Sequence, residues 1–294
     1  MQVGPENTLG VDVGGTRIRA ARIGPGCEIL ARIVEPVRPG REGFSRQILR
    51  LIGGLRNADT RAVGIGIPGR VDGQGQKILS AGYLDIAGLD LCALMVQAGL
   101  PARIENDATM ALIAEARAQA VEAGLILMLT IGTGIGGAAL LDGQPWHGGG
   151  IAGQFGHIVV APDGPACKCG RQGCVETFSS GTALGQLIAQ AGLPVGTRAA
   201  DLLAAGDAQA EALLAQWAAP LRRAVETLVS VADPKLVVIG GGLGTEMVAA
   251  LARLPARESW FGLPVAPARL GDDAGVIGAG LAAFSAPQTC LRSA

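Results

Sequence analysis

The sequence predicts an α/β protein built from two similar lobes. Short apolar segments alternate with helical segments, a strand–bend–strand pattern occurs twice, and no linker rich in Pro, Ser or Gly divides the chain. With 294 residues, of which 49% are hydrophobic and 17% are charged, the chain is long enough to bury a large core.

The N-terminal part is predicted to contain four strands and a helix. Residues 8–14 (TLGVDVG) and 18–24 (IRAARIG) are apolar segments joined by a polar, glycine-rich bend, which indicates a β-hairpin. Residues 61–69 and 101–107 have the composition of further buried strands. The alanine- and leucine-rich residues 108–120 are predicted to form a helix.

The C-terminal part begins with the same pattern. Residues 125–143 indicate a strand, a Gly/Thr-rich bend and a second strand. Residues 181–232 carry apolar side chains at a spacing near 3.6, which predicts helix, and residues 235–244 indicate a strand followed by a glycine turn. Residues 271–286 are predicted to form a closing helix.

The repeated pattern suggests an internal duplication. Its two copies lie about 120 residues apart, a spacing too long for a solenoid repeat. We predict a small N-terminal lobe of residues 1–118 plus about 275–294, with the first phosphate loop and a candidate catalytic aspartate. Residues 119–274 are predicted to form a large lobe with a second phosphate loop, a cysteine-rich segment and an adenosine loop.

Charge and hydropathy exclude several classes of partner. The net charge is −1 and no basic run exceeds two residues, so we expect no nucleic-acid partner. Four glycines interrupt the apolar residues 125–141, so we expect no membrane span. The first eight residues lack the basic and apolar regions of a signal peptide, so we expect a cytoplasmic protein with reduced cysteines.

The bend of the first hairpin is a candidate phosphate loop. Gly14 and Gly15 allow backbone N–H groups to approach phosphate oxygens closely, Thr16 adds a hydroxyl, and Arg17 adds a positive charge. Asp12, at the end of the strand, can hold Mg²⁺ directly or through water.

Two further glycine turns offer backbone donors in the same way. They are Gly132, Thr133 and Gly134, and Gly240, Gly241 and Gly242. A single turn of this kind could equally be an ordinary hairpin turn, but three together favour phosphate binding. None is a Walker A loop, because no Gly-Lys-Ser/Thr follows, and none matches the spacing of a Rossmann fingerprint.

Asp107 is the candidate general base. It ends a predicted strand and opens a helix, where an N-cap aspartate has a common structural role. The same carboxylate can accept the proton of an attacking hydroxyl in phosphoryl transfer, and Asn106 beside it can hydrogen-bond the substrate. The two roles of Asp107 are compatible.

A histidine and three cysteines have the composition of a metal site. His157, Cys167, Cys169 and Cys174 follow the spacing H-x9-C-x-C-x4-C, and one nitrogen with three thiolates suits tetrahedral Zn²⁺. The alternative is that the cysteines are free and buried. Four protein ligands leave no open position for water, so the zinc is predicted to be structural.

These motifs, in this order, resemble the ROK family (repressors, open reading frames, kinases). The resemblance covers nearly the whole chain and is carried by Asp12 to Arg17, Pro68-Gly69, Glu105 to Ala108, Gly132 to Gly137, Gly153 to His157, the Cys-x-Cys-Gly-x-x-Gly-Cys run with Glu176, and Gly240 to Gly242. It implies an α/β, actin/hexokinase-like (ribonuclease H-like) two-lobed ATPase fold.

The resemblance also implies a function. It implies an ATP-dependent sugar kinase that transfers the γ-phosphoryl group of Mg-ATP to a hydroxyl, expected to be the 6-OH, of a hexose or N-acylated amino hexose. It places Mg-ATP at Asp12 and the glycine loops, makes Asp107 the base, and assigns sugar contacts to Asn106, His157 and Glu176. A homodimer is expected, because many members form dimers.

The sequence departs from the family pattern in two places. Glucose-type members usually carry glutamate where this chain has Gln154, so this candidate sugar contact offers a neutral amide. Residues 77–91 also lack the Asn-x-x-Gly-Trp-like stretch that is common in the family.

The sequence leaves more than one function open. The substrate of a kinase could be a plain hexose or an N-acylated amino sugar, and the alternative is a non-catalytic sugar- or nucleotide-binding or regulatory protein. A repressor is not expected, because about eight residues precede the first strand.

Overall fold

The chain divides into two compact units. The computed structural model describes residues 6–71, 77–81, 84–256 and 262–285. The first unit comprises Met1–Ala120 with Asp272–Ala294, and the second comprises Val121–Gly271. The divisions predicted from the sequence lie near residues 118 and 275.

The first unit is built on a five-stranded sheet in the order β3-β2-β1-β4-β7. Strands β1, β2 and β3 pair antiparallel, whereas β1–β4 and β4–β7 pair parallel. Its elements are β1 (Asn7–Val13), β2 (Arg17–Ile23), β3 (Ile29–Pro36), α1 (Arg41–Leu55), β4 (Thr60–Ile67), β5 (Arg70–Val71), β6 (Ile78–Ser80), α2 (Leu91–Ala98), β7 (Ala102–Asn106), α3 (Asp107–Ala118) and, from the end of the described chain, α9 (Ala274–Phe284).

The second unit repeats this plan with the sheet order β10-β9-β8-β11-β12. Its core surrounds Trp217, which is fully buried and donates its indole N–H to the carbonyl of Ser180 at 3.0 Å. Its elements are β8 (Leu125–Ile131), β9 (Ile135–Leu141), β10 (Gln144–Pro145), a 3₁₀ turn (Phe155–His157), α4 (Glu176–Ser179), α5 (Gly181–Gln190), α6 (Ala199–Ala205), α7 (Ala208–Ala232), β11 (Leu236–Gly240), α8 (Gly244–Arg253) and β12 (Val265–Pro267).

Helix α9 packs against the first sheet and against α3 without intervening side chains. A Cβ added to Gly10 of β1 would lie 1.9 Å from the carbonyl oxygen of Val276, and one on Gly64 of β4 would lie 1.8 Å from that of Ala279. A Cβ on Gly278 would lie 1.7 Å from the oxygen of Met110 in α3. Backbone-to-backbone contact therefore fixes α9 to the two elements that end and begin at the candidate site residues.

Several element boundaries differ from those predicted. The helical residues 181–232 form three helices, because Gly192 and Gly206 take positive φ between them and Asp207 caps the third by accepting the N–H of Ala210. The closing segment 271–286 starts with a 3₁₀ turn over Gly271–Asp273 before α9 begins.

Asn106 rather than Asp107 is the N-cap of α3. Its side-chain oxygen accepts the N–H groups of Ala108 and Thr109, whereas Asp107 already has helical geometry. The predicted N-cap was wrong by one residue because Asn and Asp serve equally well in that position.

The expectation of reduced cysteines is wrong for Cys92, which is disulfide-bonded. It rested on the absence of a leader, whereas a disulfide depends on which cysteines the fold brings together. Cys27, Cys167, Cys169 and Cys174 form no disulfide. No helix in the described ranges is both long and apolar enough to span a bilayer.

Candidate active site and metal centre

The first glycine bend is an open turn between β1 and β2. The N–H of Gly14 donates to the carbonyl of Arg17 at 2.9 Å, which closes the turn. Gly15, Thr16 and Arg17 are exposed, and a Cβ on Gly15 would meet no described atom within 4 Å. The bend can therefore be approached closely by an anionic group, as a phosphate loop requires.

Asp12 and Asp107 are neighbouring, largely buried carboxylates of the first unit. Burial, together with the negative charge of Asp107, raises the pKa of Asp12 to about 7 against the opposing charge of Arg19. Burial also raises the pKa of Asp107 to about 6, although the backbone N–H of Ala108 lowers it. A divalent cation between such carboxylates would favour their ionised forms.

Arg19 lies directly opposite Asp12 in the β1–β2 ladder. Its Nη1 is 3.7 Å from Asp12 Oδ2, and its Nη2 donates to Asp272 at 2.7 Å. Arg32 on β3 forms a second ion pair with Asp273. The two arginines thus anchor the residues that immediately precede α9.

Asn106 fixes the first turn of α3 and with it Asp107. Its Oδ1 accepts the N–H of Ala108 at 2.9 Å, and its Nδ2 donates to the carbonyl of Gly69 at 2.7 Å. Asp107 Oδ1 accepts the same Ala108 N–H at 2.8 Å. A hydrogen bond from the Asn106 side chain also lowers the pKa of Asp107, so Asn106 acts on the carboxylate as well as on the helix cap.

The two glycine turns of the second unit lie against each other. A Cβ on Gly241 would lie 2.5 Å from the carbonyl oxygen of Ile131, at the end of β8. The bend that follows β8 closes with Gly132 N–H donating to Gly134 at 3.0 Å, and its Gly132 carbonyl accepts the N–H of Gly181 at 2.7 Å. The structure therefore brings both predicted turns to the start of α5.

The cysteine cluster has the geometry of a metal site. Ligand atoms of His157, Cys167, Cys169 and Cys174 all lie within 4.8 Å of one another. His157 Nδ1 is 3.5 Å from Cys167 Sγ, and the sulfur atoms of Cys169 and Cys174 are 3.6 Å apart. Tetrahedral zinc with its usual bond lengths separates nitrogen from sulfur by ~3.6 Å and two sulfurs by ~3.8 Å. The donor set therefore fits zinc.

Glu176 connects the cysteine cluster to the second glycine bend. Its Oε2 accepts the N–H of Ile135 at 2.8 Å, and its Oε1 lies 3.3 Å from Nζ of Lys168. A Cβ on Gly134 would lie 2.5 Å from Oε2. Glu176 is two residues beyond Cys174, so the segment that carries the candidate metal ligands also orients this carboxylate.

Gln154 and His157 flank one 3₁₀ turn. Gln154 is exposed and makes no capping hydrogen bond, whereas His157 directs Nδ1 toward the sulfur of Cys167. This segment packs closely on β9, since a Cβ on Gly156 would lie 2.2 Å from the carbonyl oxygen of Ile135. The exposed Gln154 amide is thus accessible to a ligand, while the His157 ring lies against the cluster.

Sequence reasoning missed three residues of this region. Arg19 could have been found from the hairpin register, because it faces Asp12 across the strands. Lys168 lies between two predicted metal ligands but offered no signal of its contact with Glu176. Gly275 borders the Asp12 carboxylate, a contact that only the packing of α9 reveals.

Comparison with known proteins identifies the family. The ROK family model matches residues 8–285. The chain belongs to the ROK family. The actin/hexokinase-like, two-lobed α/β fold expected from the resemblance is confirmed, because ROK sugar kinases of known structure share it.

Three ROK proteins show that the likeness extends over more than nine tenths of the chain. A glucokinase from Streptomyces coelicolor is 32% identical, with 92% of this chain and 96% of that protein covered. An N-acetylmannosamine kinase from Salmonella typhi is 33% identical, with 94% and 98% covered. The crystal structure of a Streptomyces griseus ROK glucokinase in complex with glucose and AMPPNP matches with a TM-score of 0.77 at 30% identity, covering 95% and 100%.

Purified protein is expected to contain about one zinc per chain, measured by elemental analysis. Cys169→Ser should lose the metal and lower the melting temperature, because the binding energy of a structural zinc is partly folding energy. Cys27→Ser, outside the cluster, should retain the zinc. Complete loss of metal with unchanged melting would contradict a structural role.

Asp12→Asn is expected to stabilise the protein in the absence of magnesium and nucleotide. The folded-state pKa of about 7 lies above the usual aspartate value of 3.8. The Asp12 carboxylate therefore leaves the free energy of unfolding unchanged below pH ~4 and lowers it by up to ~4 kcal/mol above pH ~7. Denaturant unfolding should therefore show that Asp12→Asn has a higher free energy of unfolding than the wild type, by an amount that increases from pH 4 to pH 8.

Asp201→Asn is the matched control for this measurement. Hydrogen bonds from Arg198 lower the pKa of Asp201, so its replacement should give no gain at pH 8. If Asp12→Asn gives no increase in the free energy of unfolding at pH 8, or gives an increase that does not change with pH, ionisation of Asp12 does not destabilise the folded protein.

Proposed function

We propose that this ROK protein is an ATP-dependent sugar kinase. It transfers the γ-phosphoryl group of Mg-ATP to a hydroxyl, the 6-OH, of a hexose or an N-acylated amino hexose. The observation that carries the proposal is the buried pair of Asp12, at the end of β1, and Asp107, at the start of α3, beside an exposed glycine bend. Phosphoryl transfer needs such a base and such a metal-binding carboxylate.

Asp107 acts as the general base. Its pKa of about 6 leaves it ionised at neutral pH yet close enough to that pH to take a proton from the sugar hydroxyl. Asn106 holds the first turn of α3, so the carboxylate keeps one orientation during the transfer.

Asp12 and the glycine turns bind Mg-ATP. Asp12 holds the magnesium ion directly or through water, and the ion neutralises charge on the transferring phosphoryl group. Gly14, Gly15, Thr16 and Arg17 contact phosphates. In the second unit Gly132, Thr133 and Gly134 do the same, and Gly240, Gly241 and Gly242 form the adenosine loop.

The residues that contact the sugar are Asn106, Asp107, Gln154, His157 and Glu176. The zinc ion at the cysteine cluster has a structural role. The related proteins named above act on glucose and on N-acetylmannosamine, which supports both sugar classes. Gln154 is exposed and offers a neutral amide, so it favours a substrate that can both donate and accept a hydrogen bond at that position. The homodimer and the cytoplasmic location stay predictions.

A panel of sugars tests the function. ADP release with Mg-ATP would be measured for glucose, mannose, fructose, allose, N-acetylglucosamine and N-acetylmannosamine. One sugar preferred by a large ratio in kcat/KM would establish the kinase and its substrate. Sugar-induced thermal shifts without ADP release, from zinc-loaded protein, would instead support a non-catalytic sugar-binding or regulatory protein.

Asp107→Asn is expected to lower kcat by at least ~10²-fold, the usual low end for a lost general base. Binding of ATP and sugar should persist, because asparagine keeps the shape of the side chain. The wild-type kcat/KM should fall as the pH drops through about 6, where Asp107 of the free enzyme becomes protonated. Asp207→Asn, at the cap of α7, is a control that should keep the wild-type rate, and a near-wild-type rate for Asp107→Asn would remove it from this role.

A further inference from the structure

Gly275 lies where helix α9 meets the carboxylate of Asp12. A Cβ on Gly275 would lie 2.7 Å from both Cγ and Oδ1 of Asp12 and 3.1 Å from Oδ2. Real Cβ atoms essentially never approach other heavy atoms within 3.0 Å. Any larger residue at position 275 must therefore displace the carboxylate.

Space, rather than backbone freedom, accounts for glycine at this position. Gly275 is in the first turn of α9 and is not among the residues with positive φ. Glycine is less favourable than alanine within a helix, so a glycine with ordinary helical geometry indicates a close neighbour.

Gly275 differs from the other closely packed glycines around α9. Extra Cβ atoms on Gly10, Gly64 and Gly278 would meet backbone carbonyl oxygens, which cannot move without shifting a strand or helix. The three atoms nearest to a Cβ on Gly275 all belong to the side chain of Asp12. Alanine at position 275 should therefore leave the fold intact and move only this carboxylate.

The carboxylate has a second fixed neighbour. Arg19 Nη1 lies 3.7 Å from Asp12 Oδ2, and Arg19 is itself held by Asp272, three residues before Gly275. Displacement by a methyl group at position 275 would thus alter both the position of Asp12 and its ion pair.

We propose that Gly275 is a positioning residue for the reaction, because its missing side chain seats the Asp12 carboxylate where it can hold the magnesium ion of Mg-ATP. This inference rests on the proposed function, and specifically on the metal role of Asp12.

Calorimetric binding of AMPPNP to zinc-loaded Gly275→Ala, with and without Mg²⁺, tests the proposal. The gain in nucleotide affinity that Mg²⁺ provides is expected to fall roughly 10- to 100-fold, the range for a small misplacement of a functional group. Affinity for the metal-free nucleotide should be unchanged, because the glycine bends are untouched.

Gly53→Ala in α1 is the matched control. It makes the same substitution in a helix of the same unit, and its Cβ would meet no described atom within 4 Å. It should keep the full Mg²⁺-dependent gain. A Gly275→Ala variant that behaves like Gly53→Ala would overturn the proposal.

The Asp12→Ala background separates the two hypotheses. Asp12→Ala should lose the Mg²⁺-dependent gain, and adding Gly275→Ala should lower it no further. If Asp12→Ala keeps the gain, the metal role of Asp12 is wrong, and with it the proposed role of Gly275. If Gly275→Ala weakens binding equally in both backgrounds, it acts by another route and the proposal is overturned.

Melting temperatures test the contact even if Gly275→Ala folds poorly. In the Asp12→Ala background the methyl group meets empty space, so Gly275→Ala should raise the melting temperature through its higher helix propensity. In the wild-type background it should not raise it. Destabilisation of the same size in both backgrounds would contradict a contact with Asp12.

Discussion

The closeness of α9 to its neighbours is the constraint on which the first unit depends. Gly10 and Gly64 bring the helix to the sheet, and Gly278 brings it to α3. Packing at this distance leaves no room for adjustment by side-chain rotation, since backbone atoms form the contact. Asp12 at the end of β1 and Asp107 at the start of α3 therefore share one rigid support. This support holds the two carboxylates near each other despite their charge repulsion.

The fold class was predictable from the sequence, whereas several boundaries were not. Hairpin strands on both sides of the glycine bends are locally encoded, because apolar alternation and turn residues specify them. The break between α5 and α6 was missed, since alanine and leucine continue the helical period up to the glycine that ends it. Strand β3 was also missed, because its half-exposed residues depend on pairing with β2.

The candidate site followed from motifs, but its supports did not. The cysteine spacing predicted a cluster that the fold assembles at tetrahedral distances. The contact between Glu176 and Ile135 joins segments 41 residues apart, and no local pattern announces it. The same is true of Arg19 with Asp272, which are separated by 253 positions. Sequence motifs report the groups that react, whereas long-range packing determines how those groups are oriented.

The division of the first unit has a consequence for how the chain matures. Its strands and α3 precede the second unit, but α9 follows it, so synthesis delivers residues 121–271 before the supporting helix appears. A continuous unit can fold as soon as it leaves the ribosome, whereas a split one must wait for contacts of long sequence separation. In a nascent chain the second unit can therefore fold before α9 is available to support Asp12 and Asp107. The support that holds the two carboxylates is thus completed only when α9 has been synthesised.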